Sequence, residues 1–322
     1  MALIVNGTTI PTNIANNLIY NGINITSVIY NGTVMWQQVL VSSSIGLFYG
    51  GDISSIPSVS NICSRINSNN ALVGSETSIG TSRNGLAGTN VNSNGLFYAG
   101  YSPLSNKITI INNVGNLVQA ETSVGTQRGY LGGATSGGNG LFYAGSISGQ
   151  EYNTVTRISA TGTIVGSENT TGNTRYILTG TTVGNNGMFY GGVNGGAYIN
   201  RISQINSAGS LVGSESSIGT PRYSLGGAYI NSTGFFYSGY NGSLIKTLTR
   251  INSNNALVGS ETSIGNASDA LAGSNMGNTC MFYGGGNGTT INNCTQIDSN
   301  GALVSSISNI GTARYYLAGA GL

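Results

Sequence analysis

A six-fold internal repeat limits this chain more than any other feature. Gly46-Leu47-Phe48-Tyr49-Gly50-Gly51 returns as Gly95-Leu96-Phe97-Tyr98-Ala99-Gly100, and again from Gly140, Gly187, Gly234 and Cys280, at spacings of 49, 45, 47, 47 and 46 residues. A second word follows each copy; the stretch from Arg65 to Glu76 is repeated letter for letter from Arg250 to Glu261. A third closes the unit: Gly80-Thr81-Ser82-Arg83, then Leu86-Ala87-Gly88, with its last copy at Gly311-Thr312-Ala313-Arg314 and Leu317-Ala318-Gly319. A unit of this length cannot bury its apolar face alone, so the copies must stack on one another.

Each unit offers four short β-like stretches: Leu-Ala-Gly, the Phe-Tyr stretch, the stretch ending in Arg-Ile-Asn, and Ala-Leu-Val-Gly-Ser. Clusters of Asn, Gly and Ser separate them, and no apolar spacing of helical period is sustained. Four strands at this period predict the blade of a β-propeller. The small residues of Leu-Ala-Gly suit a crowded axis. The paired glycines after Phe-Tyr permit positive φ at the strand end. Alternation along a strand sends the Phe and the Tyr into the two gaps on either side of a blade. The first unit begins with a Phe-Tyr strand and the last ends with Leu317-Ala318-Gly319, so the C-terminal strand is expected to complete the first blade and leave no open edge. The expected class is all-β: a six-bladed propeller over 41–322 behind a small β segment over 1–40. The Phe-Tyr-Gly-Gly strand at this period resembles kelch repeats across roughly 41–322. The Trp usual late in a kelch repeat is missing, and Glu76 and its equivalents stand in that region, so the resemblance implies a fold and not a kelch activity.

The first forty residues follow another rule. Leu18-Ile19-Tyr20-Asn21-Gly22 is echoed by Val28-Ile29-Tyr30-Asn31-Gly32, and Val34-Met35-Trp36 follows. Both Tyr-Asn-Gly words read as strands entering hairpin turns. So short a segment buries little core of its own. Tyr20, Tyr30 and Trp36 are therefore docking candidates, toward a partner, further copies of the chain, or the propeller itself. These paired hairpins ending in Trp resemble a short module of phage structural proteins, where it lies beside tail or fibre domains. The resemblance implies a place in a virion, with 1–40 contacting other virion proteins or forming a homo-oligomer.

Only 6% of residues are charged and the net charge is +2, against about 25% in ordinary soluble proteins. Hydroxyls and amides must wet this surface, as suits a protein held in an assembly. Eleven Lys and Arg spread over the chain make no basic stripe for nucleic acid. Neither a signal peptide nor an apolar run long enough for a membrane span is visible. The Asn-x-Ser/Thr sequons, as at Asn6, Asn24, Asn169 and Asn241, read as by-products of composition. Cys63, Cys280 and Cys294 are too few for a disulfide framework. A turn centred near Asn287 would place Cys280 opposite Cys294, with reduced thiols the default.

His is absent, which removes the commonest general base and the usual catalytic triads. No phosphate-binding Gly-rich loop and no C-x-x-C spacing occurs, so no cofactor and no metal is expected. Of nine acids, five recur with the repeat: Glu76, Glu121, Glu168, Glu215 and Glu261. The others, Asp52, Glu151, Asp269 and Asp298, fall in different blades with nothing to mark two as neighbours. Paired carboxylates for glycoside hydrolysis would have to come from these. The recurring arginines are Arg83, Arg128, Arg175, Arg222 and Arg314. They read as structural ion pairs or carbonyl clamps with the recurring Glu, rather than as a guanidinium ring around one mouth. The fifth unit has Ser268 in place of Arg and the sixth has Ile307 in place of Glu. Pairing of each Glu with the Arg of the next blade would explain this, and would join Glu261 to Arg314. The variable loops after the Phe-Tyr strands share one face of the disc and carry Tyr101, Tyr152, Tyr198 and Tyr240, which offer amphipathic contact area for a ligand.

These features predict a non-enzymatic, phage-like virion protein whose propeller loops bind a host-surface glycan or protein. The alternatives are a purely architectural decoration protein, or a carbohydrate-active enzyme with acids in the channel.

Overall fold

The computed structural model describes residues 44–53 and 58–322 in full, and residues 1–43 only through six short strands. The chain divides into two compact units, Met1–Ser43 and Ser44–Leu322. The first contains three antiparallel pairs: Leu3–Val5 with Thr8–Ile10, Leu18–Tyr20 with Ile23–Ile25, and Ser27–Tyr30 with Thr33–Gln37. The side chains of Tyr20, Tyr30 and Trp36, and the docking role expected of them, lie outside the described residues.

The second unit is a six-bladed propeller without helices among the described residues, so no helix there is long and apolar enough to cross a membrane. Blade 1 is closed by the chain's last strand: Ala318–Gly321 pairs with Ile45–Tyr49, which pairs with Ile62–Asn67 and then Thr77–Ser78. Blade 2 runs Ala87–Val91, Asn94–Gly100, Ser105–Ile111, Thr122–Ser123. Blade 3 has inner strands Gly132–Ser136 and Asn139–Tyr143, then Gln150–Ile158 and Asn169–Arg175. Blade 4 begins with Thr179–Val183, Asn186–Tyr190 and Arg201–Ile205. Blade 5 begins with Gly226–Ile230, Thr233–Tyr237 and Thr247–Asn252, and blade 6 with Ala272–Met276, Thr279–Tyr283 and Cys294–Asp298.

The Phe-Tyr alternation does what the repeat requires. Tyr49 meets Phe97 of the next blade at 5.2 Å between ring centroids, and the series runs Tyr98–Phe142, Tyr143–Phe189, Tyr190–Phe236 and Tyr237–Phe282 to Tyr283–Phe48 at 5.0 Å. One aromatic pair thus fills each gap, worth about 0.5–1.5 kcal/mol beyond its buried area.

The outer strand differs from the sequence expectation. Ala-Leu-Val-Gly-Ser makes one bridge, as Leu72 does to Ile66, and then leaves the ladder. Pairing resumes only at Thr77–Ser78, after Glu76. The Glu76 carboxylate accepts hydrogen bonds from Ser64 and from the amide and hydroxyl of Thr312. In blade 6, where Ile307 replaces Glu, the outer strand Leu303–Ile307 pairs with Cys294–Ile297 through four residue pairs, with a register shift at Val304. The cysteines are free and buried. Cys294 pairs with Tyr283 and Cys280 with Ile297, so they do not oppose one another: the register is offset by three residues from the one that would pair them.

At the axis six glycines, Gly88, Gly133, Gly180, Gly227, Gly273 and Gly319, bring the inner strands into contact. A Cβ on Gly88, Gly133, Gly180 or Gly227 would lie 2.5–2.8 Å from the neighbouring glycine's carbonyl oxygen, and closer still on the other two. No larger residue fits this constriction.

Candidate functional site

The recurring arginines are wholly buried between blades, not arranged around a mouth. Each ends one sequence unit and docks into the blade built from the next. Arg128 lies over the Tyr98 ring of blade 2 and reaches into blade 3. There it donates to the Ala144 carbonyl at 2.7 Å, the Phe142 carbonyl at 3.0 Å, Thr156 Oγ1 at 2.7 Å and Glu168 at 3.2 Å. Thr126 and Thr156 also donate to Glu168. Burial alone would raise that carboxyl's pKa, but these hydrogen bonds and the Arg128 charge outweigh it and hold the group below its ordinary range.

The same socket joins Arg83 to Glu121, Arg222 to Glu261 and, across the closing seam, Arg314 to Glu76. In blade 4 Arg175 donates to Ser203, which donates to Glu215, while Arg201 takes the ion pair at 3.4 Å. The expected direction of pairing is therefore reversed. Glu261 holds Arg222 and Arg314 holds Glu76, because the loop carrying Arg crosses to the following blade. Ser268 and Ile307 consequently fall on one socket, that of blade 6, which has lost both partners together.

The two residues after the recurring arginine build something else. The second of them forms a closed collar around the axis. Gly85 N–H donates to the Tyr316 carbonyl, Tyr130 to Gly85, Ile177 to Tyr130, Ser224 to Ile177, Ala270 to Ser224 and Tyr316 to Ala270, at 2.7–3.1 Å. All six have φ between 52° and 59°. Only one is glycine; Ile177, β-branched, is the most strained of the set. Left-handed backbone costs such residues about 1–2 kcal/mol each, and the continuous ring of hydrogen bonds holds them there.

The collar surrounds a pit of about 90 Å³, walled by the leucine of each Leu-Ala-Gly strand and floored by the axial glycines. Beyond that floor is a second hollow of about 30 Å³. Tyr229 of blade 5 and Asn90 of the opposite blade both line that hollow. The axial glycines separate it from the pit, whose mouth lies on the collar face.

That face is the one carrying the variable loops. Asp52 bridges to Tyr315, Asn84 to Ser102, Tyr176 to Val193, Tyr223 to Tyr240 and Asp269 to Gly286. Tyrosines dominate it. Tyr101 stacks on Tyr130 at 4.6 Å, Tyr130 on Tyr316 at 5.2 Å and Tyr316 on Tyr315 at 5.1 Å. Tyr198, Tyr223 and Tyr240 form a second cluster at 5.0–6.1 Å. Of the loop tyrosines expected to bind, Tyr101, Tyr198 and Tyr240 belong to these clusters, with Tyr101 and Tyr198 the most exposed. Tyr152 lies within a strand opposite Arg175, outside them.

The non-repeat acids separate into three kinds. Asp298 caps its own turn, accepting from the Asn300 and Ala302 amides. Glu151 accepts from the Gly195 amide and Asn194, fixing a hairpin of blade 4. Asp52 and Asp269 stand on the collar face, Asp52 bridged to Tyr315 and Asp269 next to the collar residue Ala270. Asp52 is 2% exposed; Asn84 donates to its Oδ2 at 2.5 Å, while Oδ1 has no partner. Burial raises its pKa against the Asn84 hydrogen bond. Burial also pushes Asp269 up to about 6. Sequence reasoning missed this pair, together with Tyr130, Tyr223, Tyr315 and Tyr316. A signal was present: the two positions after the recurring arginine read Asn-Gly, Gly-Tyr, Tyr-Ile, Tyr-Ser and Tyr-Tyr, and Asp-Ala after Ser268, inside a unit that otherwise holds its letters.

No protein-family model and no curated protein matches the chain.

Proposed function

We propose that the chain is a non-enzymatic structural protein of a phage-like particle and that its propeller binds a host-surface glycan through the tyrosine face. The observation that carries the binding role is the departure from repetition at one mouth of the channel. Seven tyrosines, two acids and an open pit stand where the scaffold letters stop recurring. Tyrosine offers flat apolar area for the face of a sugar ring and a hydroxyl for its edge, at little entropic cost. The virion setting is supported by the likeness of 1–40 to phage hairpin modules and by the sparse charge. The kelch-like character of the repeats bears on architecture alone.

A glycan array probed with the full chain tests the reading. Binding to a defined set of bacterial surface glycans is expected, reduced about tenfold or more by Tyr101→Ala with Tyr198→Ala. An array on which the wild type and that double variant score alike would remove the tyrosine face from consideration. A second reading is favoured by the raised carboxyls of Asp52 and Asp269: a carbohydrate-active enzyme in which one acid protonates a leaving group. It requires turnover of surface polysaccharide that Asp269→Asn abolishes.

A further inference from the structure

We propose that the pit receives an uncharged acetyl group, the N-acetyl or O-acetyl substituent of a surface sugar. This rests on the reading of the tyrosine face as a glycan-binding surface and adds what enters its centre.

Size and charge are set by the pit itself. Water takes about 30 Å³ in the liquid, and an apolar cavity of about 150 Å³ accepts benzene. A pit of about 90 Å³ is too small for a sugar ring and matches a substituent of about three or four heavy atoms. No Lys, Arg, Asp or Glu lines it. A charged group entering there would lose its water and meet no counter-charge, which is strongly unfavourable. The group that enters is therefore neutral.

Polarity selects among neutral groups. The leucines of the inner strands, such as Leu86, Leu178 and Leu271, wall the pit and favour a methyl group. The floor is polar. Thr135 sends its N–H off its own blade to Thr182 Oγ1 of the next. Gly133, two residues earlier on the same strand, points its peptide groups the same way, toward the axis. Ser224 also lines the pit. It is 4% exposed, and its Oγ has no hydrogen-bond partner, although the Tyr316 hydroxyl stands nearby. A buried hydroxyl left unpaired is destabilising, and a carbonyl oxygen in the pit would accept from it. An acetyl group meets both demands, with its methyl on leucine and its oxygen on Ser224. A bare methyl would leave Ser224 unpaired, and a hydroxymethyl would leave the leucine wall uncovered.

The rim explains how a sugar delivers that group. Tyr101 and Tyr316 stand on blades 2 and 1, while Tyr198 and Tyr240 stand across the pit on blades 4 and 5. Sugar rings resting on both clusters pass over the mouth and lower one substituent into it.

The test applies the full chain to an array that carries each acetylated glycan beside the same glycan stripped of its acetyl groups. Stripping is expected to weaken binding about tenfold or more. Mild base, which cleaves esters and spares amides, separates O-acetyl from N-acetyl. Re-acetylation should restore binding, whereas a benzoyl group, too large for the pit, should not. Ser224→Ala is expected to weaken the acetylated glycans about fivefold, the factor given by roughly 1 kcal/mol, and to leave the stripped ones unchanged. Ala270 already holds an equivalent collar position at φ 52°, so alanine suits this backbone. Acetylated, stripped and benzoylated glycans bound alike would overturn the inference and leave the glycan reading intact. An acetyl preference untouched by Ser224→Ala would place the acetyl group outside the pit and overturn it as well. An array without signal would sink the glycan reading, and the acetyl site with it.

Discussion

Position by position, the loop that enters each inner strand contains two regions under opposite rules. The recurring arginine is identical in five of six units and wholly buried, while the next two residues form a different pair in every unit and stand at the mouth. They are chain neighbours, yet one is set by the seam between blades and the others by what lies outside. The arginine has no freedom, because its guanidinium must meet two carbonyls, a hydroxyl and a carboxylate on a blade that is itself repeated. Its neighbours share only a backbone task, the collar, which demands a φ and a hydrogen bond but no particular side chain. A repeat therefore yields a rigid scaffold and six positions that can diverge around one pit.

The largest break in this comparison comes from the seam. Arg128→Ala strands the buried carbonyls of Phe142 and Ala144 and leaves the mostly buried Glu168 without its cation. Removing one partner of a buried pair costs about 3–5 kcal/mol, and denaturant unfolding should show a loss of that order. Replacement of both partners by apolar groups should cost much less, since such pairs are costly to split more than they are stabilising.

The mouth should behave in the opposite sense. Asp269 has a folded pKa of about 6 against an ordinary 3.8, owing to burial. The folded state therefore holds the proton more tightly. That contribution to stability is fully present below about pH 4 and is lost as pH rises through 6. At pH 7 the ionised carboxylate is a burden, so Asp269→Asn is expected to stabilise. Discounted for the solvent that still reaches this partly exposed group, the gain is about 1 kcal/mol, or about 2–4 °C in Tm. It should vanish by pH 4. A gain in Tm at pH 7 that vanishes by pH 4 marks Asp269 as a residue the scaffold does not need; a fall in Tm at pH 7 would mark it as scaffold.

How far each region is legible in sequence follows from the same contrast. Six blades, the aromatic pair in each gap and closure by Leu317-Ala318-Gly319 are local consequences of a repeated pattern, and the pattern alone contains them. Pairing between Glu and Arg is not local. The sequence unit runs through Arg83 to Gly88 while the structural blade ends near Ser78, so Arg83 belongs to one blade by spelling and to the next by contact. Reading units as blades reverses the direction and sends Glu261 to Arg314. Asp52 and Asp269 are 217 residues apart in sequence and share Tyr315 and Tyr316 only because blades 1 and 6 are joined at the seam. Their neighbourhood requires ring closure as a premise, and so do the collar and the pit.

The socket of blade 6 gives the smallest and sharpest comparison, since it lacks both Arg and Glu and its outer strand makes four residue pairs where that of blade 1 makes two. Tyr237 there has Thr295 beside it and no guanidinium above, and burial raises its pKa to about 12. Ser268 instead closes a small exchange with Ser238, whose hydroxyl donates to the Ser268 carbonyl at 2.5 Å and accepts from its amide at 3.0 Å. Ser268→Arg alone would bury a charge with no carboxylate, and Ile307→Glu alone would add an acid opposite Cys294 on a strand that stays in the ladder. Each should destabilise. In the double variant the outer strand can leave the ladder, as it does in the other blades, and carry the introduced carboxylate to the new guanidinium. The net change from wild type should then be within about 1 kcal/mol, with a coupling of about 2 kcal/mol between the two substitutions in a double-mutant cycle. Additive losses would mean that the path of the outer strand is fixed by its own residues and not by the ion pair, and that the five intact sockets fill a shape the backbone had already made.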